Sequence, residues 1–116
     1  MQPSARELLE NHLARIDEQI RSLEQQHAGV VAAAQNDNAD DEHDPEGSTI
    51  AFDRQQTAGL LERARGSRAD TLAAMDRLVA GAYGVCAACG TQIAAERLVA
   101  RPNAKECITC ADSARR

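Results

Sequence analysis

Four cysteines near the C-terminus are the residues of this chain best suited to chemistry. They form two pairs, Cys86-Ala-Ala-Cys89 and Cys107-Ile-Thr-Cys110, with 17 residues between the pairs. This spacing is typical of a structural zinc site, because each pair occupies a tight turn and four thiolates complete a tetrahedron. No coordination position is left for a catalytic water. We therefore expect one structural Zn²⁺ bound by these cysteines and no enzymatic activity.

Two other uses of the cysteines remain open at this point, a redox dithiol and paired disulfides. A redox CxxC normally lies in a βαβ context, which the sequence lacks. A reducing compartment disfavours disulfides, and the charged, amphipathic N-terminus is unlike a secretory signal peptide. No run of 18 apolar residues is present, so no membrane span is expected. These features predict a cytoplasmic protein.

A cluster of carboxylates lies near the middle of the chain, well before the cysteines. Residues 22–53 contain eight carboxylates and no Lys or Arg, within a chain of net charge −5. A solvated loop is the usual interpretation of such a cluster, and a calcium loop is disfavoured because the EF-hand ligand pattern is missing. We instead predict a charged tip that can be inserted into a partner, with five acidic side chains: Asp40, Asp41, Glu42, Asp44 and Glu46.

Two long helices are expected on either side of the acidic cluster. Ser4 can cap a helix over residues 4–35, with Glu7 completing a capping box. This helix carries apolar residues in regular steps of 4 and 3, which is the seam of a coiled coil. Asn, Asp, Pro and Gly between 36 and 48 favour a loop, and a second helix follows over residues 49–80. We expect an antiparallel hairpin, in which the numbers of facing residues sum to about 84.

This hairpin register makes specific predictions about packing. Leu23 should face Leu61, and Ile20 should face Ala64. The seam of the second helix is expected to continue through four further positions: Arg68, Leu72, Met75 and Val79. The predicted fold is mainly α, with a helical hairpin over 1–82 and a small zinc-finger module with a C-terminal helix over 83–116.

The composition limits the functions open to such a chain. The 116 residues contain 2% aromatic side chains and no Trp, so a thick core or a deep apolar pocket is not expected. The acidic central region argues against general binding to duplex DNA, which requires a basic face. No sequence-specific DNA binding is expected, and the protein is expected to be a monomer.

Two segments resemble the DksA/TraR family of bacterial transcription factors. They are DDEHDPEGSTIAFDRQQ over residues 40–56 and YGVCAACGTQIAAERLVARPNAKECITC over residues 83–110. The resemblance implies a regulator that binds RNA polymerase directly and inserts its coiled-coil tip into the secondary channel, near the catalytic magnesium. In the family's tip motif, Asp41 and Asp44 match two aspartates, whereas Glu46 stands where the family has alanine.

The resemblance also implies a response to the alarmone ppGpp, with Arg68 as a possible contact on the hairpin. Two alternative functions remain open. One is a factor that stimulates transcript cleavage through the same channel. The other is a zinc-stabilised coiled-coil adaptor for a different protein.

Overall fold

A computed structural model describes residues 3–37 and 45–114, with side chains described over 3–29 and 49–114. Four helices follow one another along the chain: α1 (Ala5–Asp37), α2 (Pro45–Val79), α3 (Ala95–Ala100) and α4 (Ile108–Ala114). Between α2 and α3 the described backbone has one isolated antiparallel bridge, from Val85 to Gln92. The predicted fold class, mainly helical with a four-cysteine module, is confirmed.

The two long helices begin at residues that suit a helix N-terminus. Ser4 Oγ accepts a hydrogen bond from the Glu7 backbone N–H at 3.1 Å, as expected of an N-cap. α2 begins at Pro45, four residues before the start that the sequence predicts, and α1 runs two residues past its predicted end. Proline is favoured at the first helical position, because its φ is already helical and the missing N–H would have no partner there.

Contacts divide the chain into two units, and the first consists of residues 16–66. Its core contains Leu23, Leu61 and Ala64, with Ile20 packed against them. The predicted register of the hairpin is therefore confirmed in this unit. Arg65 also pairs with Glu24 across the two helices at 3.5 Å. This contact is exposed, so the apolar residues supply most of the packing energy.

The predicted seam of α2 is wrong at Arg68, Leu72 and Val79, which are exposed, whereas Met75 is half-buried. Leu72 is 38% exposed and Val79 is 90% exposed, whereas Thr71 and Ala74 are completely buried. The covered positions advance from 61 to 64 to 67, in two successive steps of three, before reaching 71 and 74. A strict heptad alternates steps of three and four residues. A second step of three in succession places each later buried residue one position earlier in the chain than the heptad predicts.

The second unit consists of residues 1–15 and 67–116. Its most deeply buried side chains come from both long helices and from the cysteine segment: Leu9, Thr71, Cys86 and Pro102. Ile93, between the two cysteine pairs, is 5% exposed. The division between residues 82 and 83 stays a prediction.

None of the described helices is both long enough and apolar enough to cross a membrane.

Candidate metal centre

The four cysteine sulfurs converge on one point in the second unit. All four Sγ atoms lie within 4.8 Å of one another, and Cys89 Sγ lies 3.8 Å from Cys107 Sγ. A zinc ion binds thiolates at about 2.3 Å in a tetrahedron, which places neighbouring sulfurs about 3.8 Å apart. The distance from Cys89 Sγ to Cys107 Sγ matches this value, and the other sulfurs lie close enough to share the same ion.

The first cysteine pair sits on a turn that directs backbone N–H groups at sulfur. Gly90 closes the turn with φ of +78° and donates its N–H to the Cys86 carbonyl at 2.9 Å. The N–H of Cys107 is the largest cause that lowers the pKa of Cys86 to about 6, with further donors at Cys89 and Ala88. Backbone donors stabilise a thiolate, which is the form that binds zinc.

The other sulfurs show why the centre requires a cation. The Thr91 side chain lies 2.9 Å from Cys89 Sγ and lowers the pKa of that thiol. Contacts with the sulfurs of Cys107, Cys89 and Cys86 instead raise the pKa of Cys110 to about 12. Four sulfurs this close cannot all carry negative charge on their own. A divalent ion removes the repulsion, so the donor set fits a metal centre.

Two hydrogen bonds hold the segment that joins the cysteine pairs. Tyr83 donates its hydroxyl to the Pro102 carbonyl at 2.9 Å, and Ala87 donates its N–H to the Lys105 carbonyl at 2.8 Å. Gly84 has φ of +83°, and a Cβ there would lie 3.4 Å from Leu98 Cδ1. Glycine suits this position because the backbone conformation disfavours other residues.

The cysteine segment also matches a known family. Residues 81–116 match the family model described as the prokaryotic dksA/traR C4-type zinc finger. This segment is therefore similar to the zinc fingers of the DksA/TraR family. The predicted cofactor, one structural zinc ion bound by four cysteines, is thereby confirmed.

The fold of this chain has a counterpart among solved structures. The transcription factor DksA2 from Pseudomonas aeruginosa matches with a TM-score of 0.55 and 24% identity, over 98% of this chain and 91% of that one. At this identity the match establishes a shared fold. No curated protein matches the sequence significantly. The resemblance to the DksA/TraR family is confirmed by the finger and by this fold.

A cleft of about 310 Å³ is formed by residues of the zinc finger together with Asp70 of α2, within the same unit. Three basic side chains line it together with two acidic ones: Arg97, Arg101, Lys105, Asp70 and Glu106. Arg97 is held in place, because its Nε donates to the Glu106 carbonyl at 3.0 Å. The sequence did not predict this cleft, because its lining joins Asp70 of α2 to residues that lie much later in the chain.

The remaining predicted site residues belong to the predicted acidic tip and to α2. Asp40, Asp41, Glu42 and Asp44 lie outside the described residues. Glu46 lies in the first turn of α2. Arg68 is exposed on the same helix, in the second unit. The roles of these residues stay predictions.

Proposed function

We propose that this protein is a non-enzymatic regulator of bacterial transcription that binds RNA polymerase directly. On this proposal it inserts the acidic tip over residues 36–48 into the secondary channel and modulates initiation. The observation that supports the proposal best is the DksA/TraR finger, in a chain whose fold matches DksA2 over 98% of its length. The protein would act in the cytoplasm as a monomer, without reading DNA sequence.

The charge distribution supports the same proposal. Residues 22–53 carry eight carboxylates and no Lys or Arg, whereas the rest of the chain sums to +3. A concentrated negative charge is steered into a positively charged channel and raises the rate of association. The association rate should therefore fall as the salt concentration rises, because ions screen exposed charges.

The test is to remove the tip charges without changing the backbone. We expect Asp41→Asn combined with Asp44→Asn to abolish the effect on promoter complexes in purified transcription reactions. Binding to polymerase should weaken only about threefold, because exposed charges contribute less than about 1 kcal/mol each. A matched control, Asp76→Asn with Asp112→Asn, removes the same charge from exposed positions on α2 and α4 and should leave transcription unchanged.

The outcomes separate the proposal from its two alternatives. A full transcriptional effect in the Asp41/Asp44 variant would refute a tip mechanism. Shortening of transcripts in backtracked complexes would identify a cleavage-stimulating factor instead. Failure of the wild-type protein to bind purified polymerase would leave the adaptor function.

We also propose that ppGpp modulates the effect on initiation. The supporting observation is the cleft at the finger, whose side chains Arg97, Arg101 and Lys105 could attract an anion. Arg68 is the further residue that the family resemblance suggests. Transcription should respond to ppGpp more strongly with the wild-type protein than with Arg68→Ala or Arg101→Ala. Identical responses in all three proteins would refute an alarmone contact at these residues.

A further inference from the structure

Asn103, between the two cysteine pairs, makes side-chain contacts with α2. Its Nδ2 lies 3.1 Å from Thr71 Oγ1, and 3.3 Å from both the carbonyl oxygen and the hydroxyl oxygen of Ser67. An amide nitrogen has two hydrogens to donate, so these three acceptors can use its full capacity. All three residues belong to the same unit.

Thr71 depends on this contact because it is completely buried. Its hydroxyl hydrogen is already donated to the Ser67 carbonyl at 2.7 Å. The remaining lone pairs of Oγ1 are shielded from water, and Asn103 supplies a donor to them. A buried polar atom that loses its donor is destabilised, so this turn of α2 requires Asn103 in place.

The loop that carries Asn103 is held from both sides by the zinc finger. Pro102, the preceding residue, accepts a hydrogen bond from the Tyr83 hydroxyl at 2.9 Å and is itself buried. Lys105, two residues later, accepts from the N–H of Ala87, which lies inside the first cysteine pair. Cys107 lies two residues beyond Lys105. A zinc ion bound to both pairs would therefore fix the two ends of this loop.

We propose that Asn103 couples zinc binding to the packing of α2 at Ser67 and Thr71. When zinc is bound, the loop holds the Asn103 amide against these two residues. When zinc is lost, the loop ends separate and this turn of α2 loses its donor. Coupling of two equilibria is reciprocal. The packed state of α2 therefore raises zinc affinity by the same factor by which bound zinc favours that packed state. The proposal depends on the zinc centre and not on any partner of the protein.

Amide hydrogen exchange of the full-length protein tests this coupling. In the wild type, removal of zinc by a chelator should speed exchange of the α2 amides over 67–75 about tenfold, within the usual range for coupled sites. In Asn103→Ala with zinc bound, the same amides should already exchange near the metal-free rate. Competition with a chromogenic chelator should show zinc affinity reduced by a similar factor. Gln92→Ala, which removes an exposed amide between the same cysteine pairs, should behave like the wild type.

A second variant covers the case in which Asn103→Ala fails to fold its finger. Thr71→Val removes the nearest of the three α2 acceptors, which lies 3.1 Å from Asn103 Nδ2, and leaves every residue of the finger unchanged. It should lower zinc affinity about tenfold, whereas Thr71→Ser, which keeps the hydroxyl, should restore it. Two results would overturn the proposal: wild-type exchange over 67–75 that does not respond to zinc, or unchanged zinc affinity in Thr71→Val.

Discussion

The helical pair over residues 16–66 and the zinc finger over residues 81–116 are stabilised by different physics. In the helical pair, Leu23, Leu61 and Ala64 exclude water from a small apolar cluster. In the finger, sulfur atoms and backbone hydrogen bonds take the place of a core, with Ile93 as a buried large apolar side chain. The first arrangement depends on apolar area, and the second depends on the charge of a metal ion.

The difference shows how a chain with two aromatic residues can hold a defined structure. A coiled-coil-like seam requires only aliphatic side chains, because each layer buries a few residues at a time. A segment of about 35 residues buries too little apolar surface to fold alone, and a metal centre supplies the missing free energy. The two regions should therefore respond to different perturbations.

Loss of one zinc ligand should give the largest difference between the regions. Cys86→Ser removes a buried thiolate, and structural zinc contributes on the order of 10 kcal/mol to folding of small domains. We expect zinc content to fall from one ion per chain to none, with a change in fluorescence of Tyr83, the sole tyrosine. Far-ultraviolet circular dichroism should retain most of its helical signal. Ala88→Ser, an exposed change in the same turn, should keep its zinc.

Acidification should also affect the finger before the helical pair. A thiolate whose pKa is lowered in the folded state stabilises that state at high pH, and this stabilisation is lost as pH falls through the folded pKa. For Cys86 that pKa is about 6 in the absence of metal, and bound zinc competes with protons for the thiolate, so zinc should be displaced only at a pH lower than this. The Leu23 cluster contains no titratable side chain. Zinc release measured by a dye should therefore precede loss of helix, and simultaneous loss would contradict separate stabilisation.

A pair of adjacent leucines tests the helical pair in turn. Leu61→Ala removes a side chain that is 4% exposed and should destabilise the protein by about 2–5 kcal/mol. Leu60→Ala removes the same atoms from a side chain that is 37% exposed, and should cost less than about 1 kcal/mol. Chemical denaturation followed by circular dichroism measures both. Equal losses of unfolding free energy in the two variants would show that the Leu23 cluster is not what stabilises this region.

The smallest effect is expected from a single hydrogen bond in the finger. Tyr83→Phe removes the donor to the Pro102 carbonyl and should cost about 1 kcal/mol. The variant should bind one zinc ion with slightly reduced affinity, measured by chelator competition. A loss of zinc as complete as that in Cys86→Ser would show that the finger depends on this bond as much as on the metal.

The features that the sequence predicted correctly are those with a repeating or local signal. Heptad spacing predicted the packing of Leu23 against Leu61, and the two CxxC pairs predicted the metal centre. The burial of Thr71 and Ala74 was not predictable in this way, because two successive short steps of the seam have no signature in residue type. The role of Asn103 depends on a loop conformation that brings it to a helix more than 30 residues earlier in the chain.

The decisive measurement concerns the acidic tip inside the polymerase. Replacing the catalytic magnesium of RNA polymerase with Fe²⁺ generates hydroxyl radicals that cut nearby protein backbone. The proposed function predicts cuts in this chain within residues 36–48, and their loss when a channel-blocking competitor is added. Absence of cuts in the bound protein, or cuts confined to the zinc finger, would contradict insertion of the tip into the secondary channel.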